Sequence, residues 1–386
     1  MGGRPRFGSR RSFGSPPNGT AAERLTDDLI VEILSRVPAK SLYRFKCVSN
    51  HWLTLIDHPD HRKKFPQTLA GFFYTSTDFE RLQKSAHHLA NVSGRSCPPI
   101  DTSFSFLPNH QRVDLLDCCS GLLLCGWYAA GGEECRYIVC NPAREEWVML
   151  PETSNAGMVV GSVCLGFDPA MSSHFHVFVL LKVLMDHDVT RVDVYSSETG
   201  RWVHKEKRWN ENIWLLSPQY MSAVFLNDCM HFHAYGSRSC HCLAAVETER
   251  ETWMTFRVPH DVYSTGFLQQ SHGCLHYSSF QISADHAKVR LMVYALEDYD
   301  KKEWMLKHSV ETSHISGATI LNSCLWMAIH RECDLIFFTT GRGRDTNFMC
   351  YNMNSRQVKV ISSLEYGDRP YLPYVPFYAE LQSLHT

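Results

Sequence analysis

The stretch LTDDLIVEILSRVPAKSLYRFKCVSNHWLTLIDHP, residues 25–59, decides the fold of the N-terminal part of this chain. Two runs of apolar residues recur in it with the 3.6-residue period of an α-helix. The first run comprises Leu29, Ile30, Ile33, Leu34 and Val37, and Pro38 ends it. The second run follows Ser41 and comprises Leu42, Phe45, Val48, Trp52, Leu55 and Ile56. The pattern predicts two or three short helices.

This helical segment is too short to bury all of its apolar side chains by itself. A unit of about 40 residues seldom covers enough apolar surface to be stable alone. Its excess apolar surface is therefore either packed on the rest of the chain or covered by another protein. An ordinary helical hairpin at the N-terminus of a larger core is the plainer alternative, and the composition does not decide between the two.

The same residues resemble the F-box, whose usual pattern is roughly LPxDLLxEILxRLPxKSLxRFKCVSKxWxxLI. The chain departs from that pattern at Thr26, where proline is usual, and at Val37, where leucine is commoner. It also has Asn50 and His51 in place of a lysine-containing pair. None of these changes removes a large apolar anchor. The resemblance implies a protein that docks on a Skp-type adaptor and, through it, on a cullin-RING ubiquitin ligase.

The resemblance also implies which side chains contact the adaptor. By position they are Leu25, Leu29, Ile33, Leu34, Pro38, Leu42, Val48 and Trp52. Apolar and aromatic anchors usually carry most of the binding energy of an interface. Some of these residues must also hold the small core of the unit itself, and the sequence leaves the two sets unseparated.

The composition is that of an ordinary globular chain. It has 386 residues, of which 44% are hydrophobic and 20% charged. This length suits a helical unit of residues 21–65 and one sizeable domain of residues 66–386, preceded by a Gly-, Ser-, Pro- and Arg-rich tail, residues 1–20, that we expect to be disordered. A net charge of -2 argues against a nucleic-acid partner. The apolar runs are too short for a membrane span, so we expect no membrane association.

The cysteines bear on the cellular compartment. There are 15 of them, an odd count, with scattered spacing and no secretory signal peptide. Such usage indicates reduced thiols rather than a disulfide framework. We therefore expect a location in the cytoplasm, the nucleus or both.

A repeat of about 50 to 55 residues fills the rest of the chain. Its anchors are Trp147, Trp202, Trp253 and Trp304, with Val358 in the same position of a fifth copy. Each anchor follows an apolar strand and a polar turn, as in CNPAREEW and YSSETGRW. A period of this size predicts a propeller of radially arranged four-stranded sheets. We interpret the tryptophans as residues that pack one blade on the next.

The number of blades follows from the strands left over. The repeats account for five blades, and unassigned strands remain near Gly71 and near Tyr371, at opposite ends of the domain. Pairing these ends would remove exposed sheet edges and complete a sixth blade. The predicted fold is a multidomain α and β chain, with a small N-terminal helical unit followed by an all-β propeller of six blades.

Seven segments of the repeat region carry a second resemblance: FSFLP, SGLLLC, VCNPAREEW, LGFDPAMSSHFHVF, VYSSETGRW, LEDYDKKEWMLKH and YLPYVPFYAE. Together they resemble the F-box-associated domain of plant F-box proteins, in particular the cereal type. Ser120 stands where that family usually has asparagine, and Asp228 where glycine is usual. The resemblance implies a kelch-like propeller that recruits a target protein for ubiquitination.

One candidate metal site comes from four residues of a predicted hairpin. His231 and His233 lie on one strand, and Cys240 and Cys242 on its neighbour. Strand alternation puts each pair on one face, which allows a four-ligand zinc site. Packed or exposed side chains are the commoner explanation, and the spacing matches no closed zinc motif, so we predict no metal. No phosphate loop or nucleophile elbow is present, and we predict neither a cofactor nor catalysis.

Two functions of different classes remain. The first is a ligase subunit, in which the F-box holds the adaptor and the propeller holds the target. The second is a propeller-based small-ligand sensor, or a binding scaffold outside a ligase. A sensor requires convergent titratable residues at one mouth of the ring, and the sequence assembles none, so we favour the first.

The link of residues 205–220 is our candidate for part of the target-binding surface. It is the longest inter-blade link with aromatic residues, Trp209, Trp214 and Tyr220. Recognition by propellers resides in the loops at the blade ends, which vary without disturbing the core. The alternative is that these aromatic residues pack between blades.

Overall fold

The structure is a computed structural model. It describes residues 25–384 except 38, 47, 59–60, 62–68, 77–85, 93–99, 133, 155–156, 184–187, 207–208, 210–212, 216–222, 237–240, 250–251, 260–264, 284–287, 317–323, 332, 342 and 365. The chain divides into two compact units, residues 1–66 and 67–386. The expected tail of residues 1–20 lies outside the described residues. Within them, no helix is both long enough and apolar enough to cross a membrane.

The described residues of the N-terminal unit form three short helices, as the apolar periodicity predicts: α1 (Asp27–Ser35), α2 (Ala39–Phe45) and α3 (Asn50–Asp57). Asp27 and Asp28 lie in the first turn of α1, where negative charge interacts favourably with the helix dipole. The Ser49 hydroxyl caps α3 by accepting a hydrogen bond from the Trp52 backbone N–H at 3.2 Å.

All three helices contribute to the core of this unit. Its buried side chains are Ile30, Val31, Leu34, Leu42, Leu55 and Ile56. Phe45 and Trp52 pack against them, with their ring centroids 5.5 Å apart in an edge-to-face arrangement. The helical unit therefore has an internal core of its own.

The second unit consists of six antiparallel sheets, the blades of a propeller. The chain begins with two strands of the last blade, β1 (Gly71–Ser76) and β2 (Ala86–Asn91). The first blade follows with β3 (His110–Cys119), β4 (Leu122–Ala129), β5 (Cys135–Asn141) and β6 (Glu146–Met149). The second blade has β7 (Val159–Gly166), β8 (His176–Lys182), β9 (Val189–Ser196) and β10 (Arg201–Glu206).

The third blade has β11 (Trp214–Leu215), β12 (Ala223–Leu226), β13 (Cys229–Tyr235), β14 (His241–Glu247) and β15 (Trp253–Arg257). The fourth has β16 (Thr265–Ser271), β17 (Cys274–Ile282), β18 (Val289–Asp298) and β19 (Glu303–Glu311), followed by a helical turn, α4 (Ser313–Ser316). The fifth has β20 (Cys324–Ile329), β21 (Leu335–Thr340), β22 (Asn347–Asn352) and β23 (Gln357–Ser363), with a 3₁₀ turn at Gly343–Asp345. The last strand is β24 (Gly367–Tyr374).

The two ends of the propeller unit pair to form the sixth blade. β1 pairs antiparallel with β2 on one side and with β24 on the other. The inner strands of successive blades contact one another in the order β24, β3, β7, β12, β16 and β20. The prediction of six blades closed by the ends of the domain is confirmed.

Two of the repeated tryptophans, Trp202 and Trp304, join neighbouring blades by hydrogen bonds. Trp202 on β10 donates from Nε1 to the Pro151 carbonyl just beyond the first blade, at 2.8 Å. Trp304 on β19 donates to the Arg257 carbonyl on β15 of the preceding blade, at 3.0 Å. The indole rings are half-buried, which lets an apolar ring and a polar N–H both find partners at the blade boundary.

Hairpin turns after the inner strands use a left-handed backbone. Ser120 and Gly121 have φ of 48° and 92°, and Asn227 and Asp228 have φ of 51° and 55°. Two successive residues with positive φ form the turn that matches the right-handed twist of a tight hairpin. Ser120 and Asp228, the two departures from the family pattern, therefore adopt left-handed turn conformations even though each carries a Cβ.

Replacing Asp228 with glycine is expected to raise the free energy of unfolding by about 0.5–1 kcal/mol, because glycine adopts positive φ without steric cost. The Asp228 side chain is exposed, so little packing is lost. Urea denaturation of the two proteins measures the difference. A lower stability of the variant would contradict the prediction.

Candidate functional site

Among the described residues of the helical unit, five large apolar side chains are exposed rather than buried in its core. They are Leu25 (38% exposed), Leu29 (52%), Ile33 (49%), Val48 (58%) and Leu53 (38%). Leu29 and Ile33 are four residues apart on α1 and so lie in one row on the helix surface, and Leu25 lies just before the helix begins. Exposed apolar side chains grouped in this way are typical of a surface that binds another protein.

Helix α1 carries two adjacent apolar rows, which explains this surface. Ile30 and Leu34 face the core, and both are buried. Leu29 and Ile33 each precede one of them by a single residue, which rotates a side chain by about 100° around the helix axis. One row thus closes the core, and the other is left outside it.

A cavity of about 60 Å³ lies at one end of the propeller axis. Each of the six inner strands, or the residues directly after it, contributes to the lining. The polar side chains include Asp117, Ser120, Gln269, Gln270, His330 and Arg331, and the apolar ones include Val224, Phe225, Ile329 and Val375. An apolar cavity with a few converging polar groups is the usual form of a ligand site.

Asp117 lies within the wall of the cavity, between the first and second blades. Its Oδ2 accepts a hydrogen bond from the Leu165 backbone N–H at 2.8 Å, and its Oδ1 accepts one from the Cys118 N–H at 2.7 Å. Burial raises the pKa of the carboxyl to about 6, although the two hydrogen bonds favour the ionised form.

Arg331 connects three blades at the mouth of the cavity. From the end of the fifth blade's inner strand, its Nη1 donates to the Ser120 hydroxyl of the first blade at 3.2 Å. Its Nη2 donates to the Gln270 Oε1 of the fourth blade at 2.9 Å. Both of these partners are uncharged.

Two neighbouring cysteines also line the cavity but are poor nucleophiles. Burial raises the pKa of the Cys119 thiol to about 11 and holds the pKa of Cys118 well above its ordinary value. The positive charge of Arg331 acts in the opposite direction on both thiols, so the guanidinium lies within electrostatic reach of them. Because the thiolate is the reactive form, the two cysteines stay unreactive at neutral pH.

The sequence matches two families of known proteins. Residues 23–64 match the F-box domain. Residues 100–369 match the family described as "F-box protein At3g26010-like, beta-propeller". This chain belongs to that family of F-box proteins. The prediction of a plant F-box protein with a C-terminal propeller is confirmed, whereas the cereal subtype and the kelch-like subdivision remain predictions.

Relatives of this F-box protein come from Arabidopsis thaliana. F-box protein At5g07610 is 24% identical over 80% of this chain and 76% of its own length. F-box protein At1g30790 is 24% identical over 88% of this chain and 96% of its own length. Among solved structures, TolB from Acinetobacter baumannii is similar with a TM-score of 0.49 and 8% identity, covering 82% of this chain and 69% of that one. The structural similarity is too low to support an argument.

The structure separates the eight predicted adaptor contacts of the F-box. Leu25, Leu29, Ile33 and Val48 are exposed, as a docking surface requires. Leu34 and Leu42 are only 0% and 3% exposed, so they belong to the residues that hold the core of the F-box itself, and a contact between them and the adaptor stays a prediction. The apolar period predicts the helices, but it does not say which of two adjacent apolar rows on a helix faces the core.

Two predicted contacts of the F-box remain, Trp52 and Pro38. Trp52 is half-buried and packs on Phe45, which leaves part of its ring accessible. Pro38 lies outside the described residues. Leu53 is an exposed apolar residue that the sequence reasoning missed, because it falls between Trp52 and Leu55 of the second apolar run.

The proposed target-binding aromatics lie in different environments. Trp209 is 7% exposed, packs edge-to-face on Trp253 with the ring centroids 4.3 Å apart, and donates from Nε1 to the Met254 carbonyl at 3.1 Å. Its assignment to a recognition surface is wrong, since it is a core residue between blades. Trp214 is 38% exposed and stays a prediction. Tyr220 lies outside the described residues.

The register of the third blade rules out the zinc site that strand alternation allows. His233 on β13 pairs with Leu243, and Cys242 pairs with Ala234, so His233 and Cys242 point to opposite faces of the sheet. His231 shares the face of His233 and approaches the Tyr299 hydroxyl at 2.7 Å. Cys240 lies outside the described residues. In the part of the chain that the structure describes, no three His, Cys, Asp or Glu residues are grouped to hold a metal.

Sequence reasoning also missed the group of polar residues at the cavity. Ser120 and Arg331 are far apart in the chain, and neither belongs to a recognisable motif. The signal that could have found them is the repeat itself, because both residues follow the inner strand of a blade. Equivalent positions in successive blades lie at the same mouth of the ring.

Proposed function

We propose that this F-box protein is the target-recognition subunit of a Skp–cullin–F-box ubiquitin ligase. The observation that carries the proposal is the row of exposed apolar side chains on α1, Leu29 and Ile33, with the exposed Leu25 just before the helix, next to a core that is closed without them. Such a row supplies the apolar anchors that dominate a protein interface. In this proposal the F-box binds a Skp-type adaptor, and the propeller binds a target protein.

In this role the chain contributes binding rather than catalysis. It holds a target near a ubiquitin-charged enzyme, so that proximity accelerates the transfer to target lysines. We propose a location in the cytoplasm, the nucleus or both. In the part of the chain that the structure describes, no cysteine forms a disulfide, which supports this compartment.

Adaptor binding tests the proposal directly. Charged side chains at the centre of an apolar interface lose both packing and solvation, so Leu29→Glu combined with Ile33→Glu should weaken binding of a Skp-type adaptor at least tenfold. Both side chains are about half exposed, at 52% and 49%, so the F-box should stay folded. Calorimetric titration of the full chain with a purified adaptor measures the affinity.

A matched control is available on the propeller. Met305 and Leu306 on β19 are 50% and 47% exposed, so Met305→Glu combined with Leu306→Glu places the same charges on an equally exposed apolar pair. This control should bind the adaptor like the unchanged protein. Failure of the unchanged chain to bind, or equal binding by the F-box variant, would contradict the proposal.

The cavity at the propeller mouth favours a second candidate function. Asp117 and Arg331 are the converging charged groups that a small-ligand sensor requires. In that case the propeller binds a small ligand, and the F-box controls the turnover of the protein itself. Adaptor binding is common to both functions, so the ligand of the cavity decides between them.

A further inference from the structure

We propose that the cavity at the propeller mouth binds a carboxylate group, held by the Arg331 guanidinium together with the Gln270 amide and the Ser120 hydroxyl. This site goes beyond the proposed ligase role, because its occupancy does not require the adaptor. Three side chains from three different blades meet there, since the Arg331 guanidinium lies 3.2 Å from the Ser120 hydroxyl and 2.9 Å from the Gln270 Oε1.

The chemistry of these three side chains suits a carboxylate. The guanidinium is a planar fork of N–H donors that matches the two oxygens of a carboxylate, and such charge-assisted hydrogen bonds are about twice as strong as neutral ones. Ser120 and Gln270 now accept from Arg331. By rotation, the hydroxyl and the amide NH₂ become donors, so all three groups can turn toward the same anion.

The size of the cavity limits what enters. Its volume of about 60 Å³ corresponds to a few water molecules, since one water needs about 10–15 Å³ measured in this way. A carboxylate and one or two attached carbons fit, and the apolar wall of Val224, Phe225 and Val375 suits those carbons. A larger ligand must leave its remaining atoms outside the mouth. A small free acid and the C-terminus of a polypeptide both present a carboxylate of this size.

The negative charge of Asp117 should weaken the binding of a carboxylate in this cavity. Its carboxyl lines the same cavity as Arg331, and the negative charge it carries opposes a second carboxylate. The backbone N–H groups of Leu165 and Cys118 hold this carboxyl within the wall. Asp117→Asn removes the charge and keeps one oxygen to accept from one of these two N–H groups, so the variant should bind a carboxylate more tightly, while Arg331→Gln should bind it less tightly.

The test uses the full chain and three probes: acetate, acetyl-glycyl-glycine with a free carboxylate, and the same peptide as its C-terminal amide. Saturation-transfer NMR titration gives the affinity of each probe. We expect the free acids to bind and the amide to bind at least tenfold more weakly. Binding of acetate alone identifies a small free acid as the source, and binding of the peptide acid alone identifies a polypeptide C-terminus. Binding of both supports the site for either source.

Variants make the assignment falsifiable. Arg331→Gln should weaken carboxylate binding at least tenfold. Gln270→Glu should also weaken carboxylate binding at least tenfold although Arg331 is retained, because the introduced carboxylate itself pairs with the guanidinium. If circular dichroism shows that Arg331→Gln unfolds at a lower temperature, Gln270→Glu is the variant that tests the proposal. The proposal would be overturned if the peptide acid and its amide bound equally, or if neither acid bound. It would also be overturned if Gln270→Glu bound a carboxylate as well as the unchanged protein, or if Asp117→Asn bound it more weakly. Adaptor binding is measured separately, so failure here leaves the ligase role untouched.

Discussion

Replacing Asp193 with alanine is expected to lower the free energy of unfolding by about 3–5 kcal/mol, because it leaves a buried guanidinium without its counter-charge. Asp193 lies on β9 with 0% exposure. Arg191 Nε lies 2.8 Å from its Oδ1, and Arg191 Nη2 donates to its Oδ2 at 2.9 Å. His204 Nδ1 also lies 2.8 Å from Oδ1, and the Thr153 hydroxyl donates to Oδ2 at 2.8 Å.

Urea denaturation measures this loss, and two further variants test its cause. Glu297→Ala removes one partner of the exposed Lys307–Glu297 pair, whose side chains are 41% and 42% exposed, and should change stability by less than about 1 kcal/mol. Arg191→Met combined with Asp193→Ala removes both buried charges and should recover part of the loss. A loss below about 1 kcal/mol for Asp193→Ala would show that the buried pair contributes little.

Replacing Gly121 with alanine is expected to destabilise the propeller by about 3 kcal/mol or more, because backbone strain and a steric clash act together. Gly121 has φ of +92°, and a Cβ built there would lie 2.4 Å from the Val375 carbonyl oxygen and 2.6 Å from the Phe377 Cβ. These atoms belong to the segment after β24. That segment is held in place by the buried Asn141, whose Nδ2 donates to the Phe377 carbonyl at 2.9 Å, so it cannot easily move away.

Gly273 provides the matched control for this prediction. It occupies the corresponding turn of the fourth blade with φ of +75°, and no atom lies within 4 Å of a Cβ built there. Gly273→Ala therefore reports the backbone strain alone, about 1–2 kcal/mol. Urea denaturation of both variants should show the larger loss for Gly121→Ala. Equal losses would mean that the segment after β24 yields at little cost.

The residues predicted to matter most for stability and the proposed carboxylate site lie in different parts of the ring. Asp193 and its partners join the second blade to the link that precedes it. Gly121 lies where the closing segment meets the first blade. The cavity lies at the mouth, where the inner strands end, and its polar groups are half-exposed. Variants at the mouth should therefore alter binding with less effect on folding.

Local patterns in the sequence were enough for the architecture. The 3.6-residue apolar period of residues 25–59 led to the three helices, and the recurring tryptophans led to the blades. Such patterns are reliable because each helix and each hairpin buries one side of itself, whatever it packs against. Even the sixth blade could be deduced from the two unmatched strands near Gly71 and Tyr371, although its strand β2 was revealed only by the structure.

The sequence by itself thus determined an F-box followed by a six-bladed propeller, because helical period, strand alternation and turn residues act over a few neighbouring positions. The tertiary structure alone decided that Leu34 faces inward and Leu29 outward, that Trp209 is buried, and that Arg331 meets Ser120 and Gln270. These outcomes depend on which distant segments pack together. Ring closure brings residues some two hundred positions apart within hydrogen-bond distance, and no local period encodes such a contact.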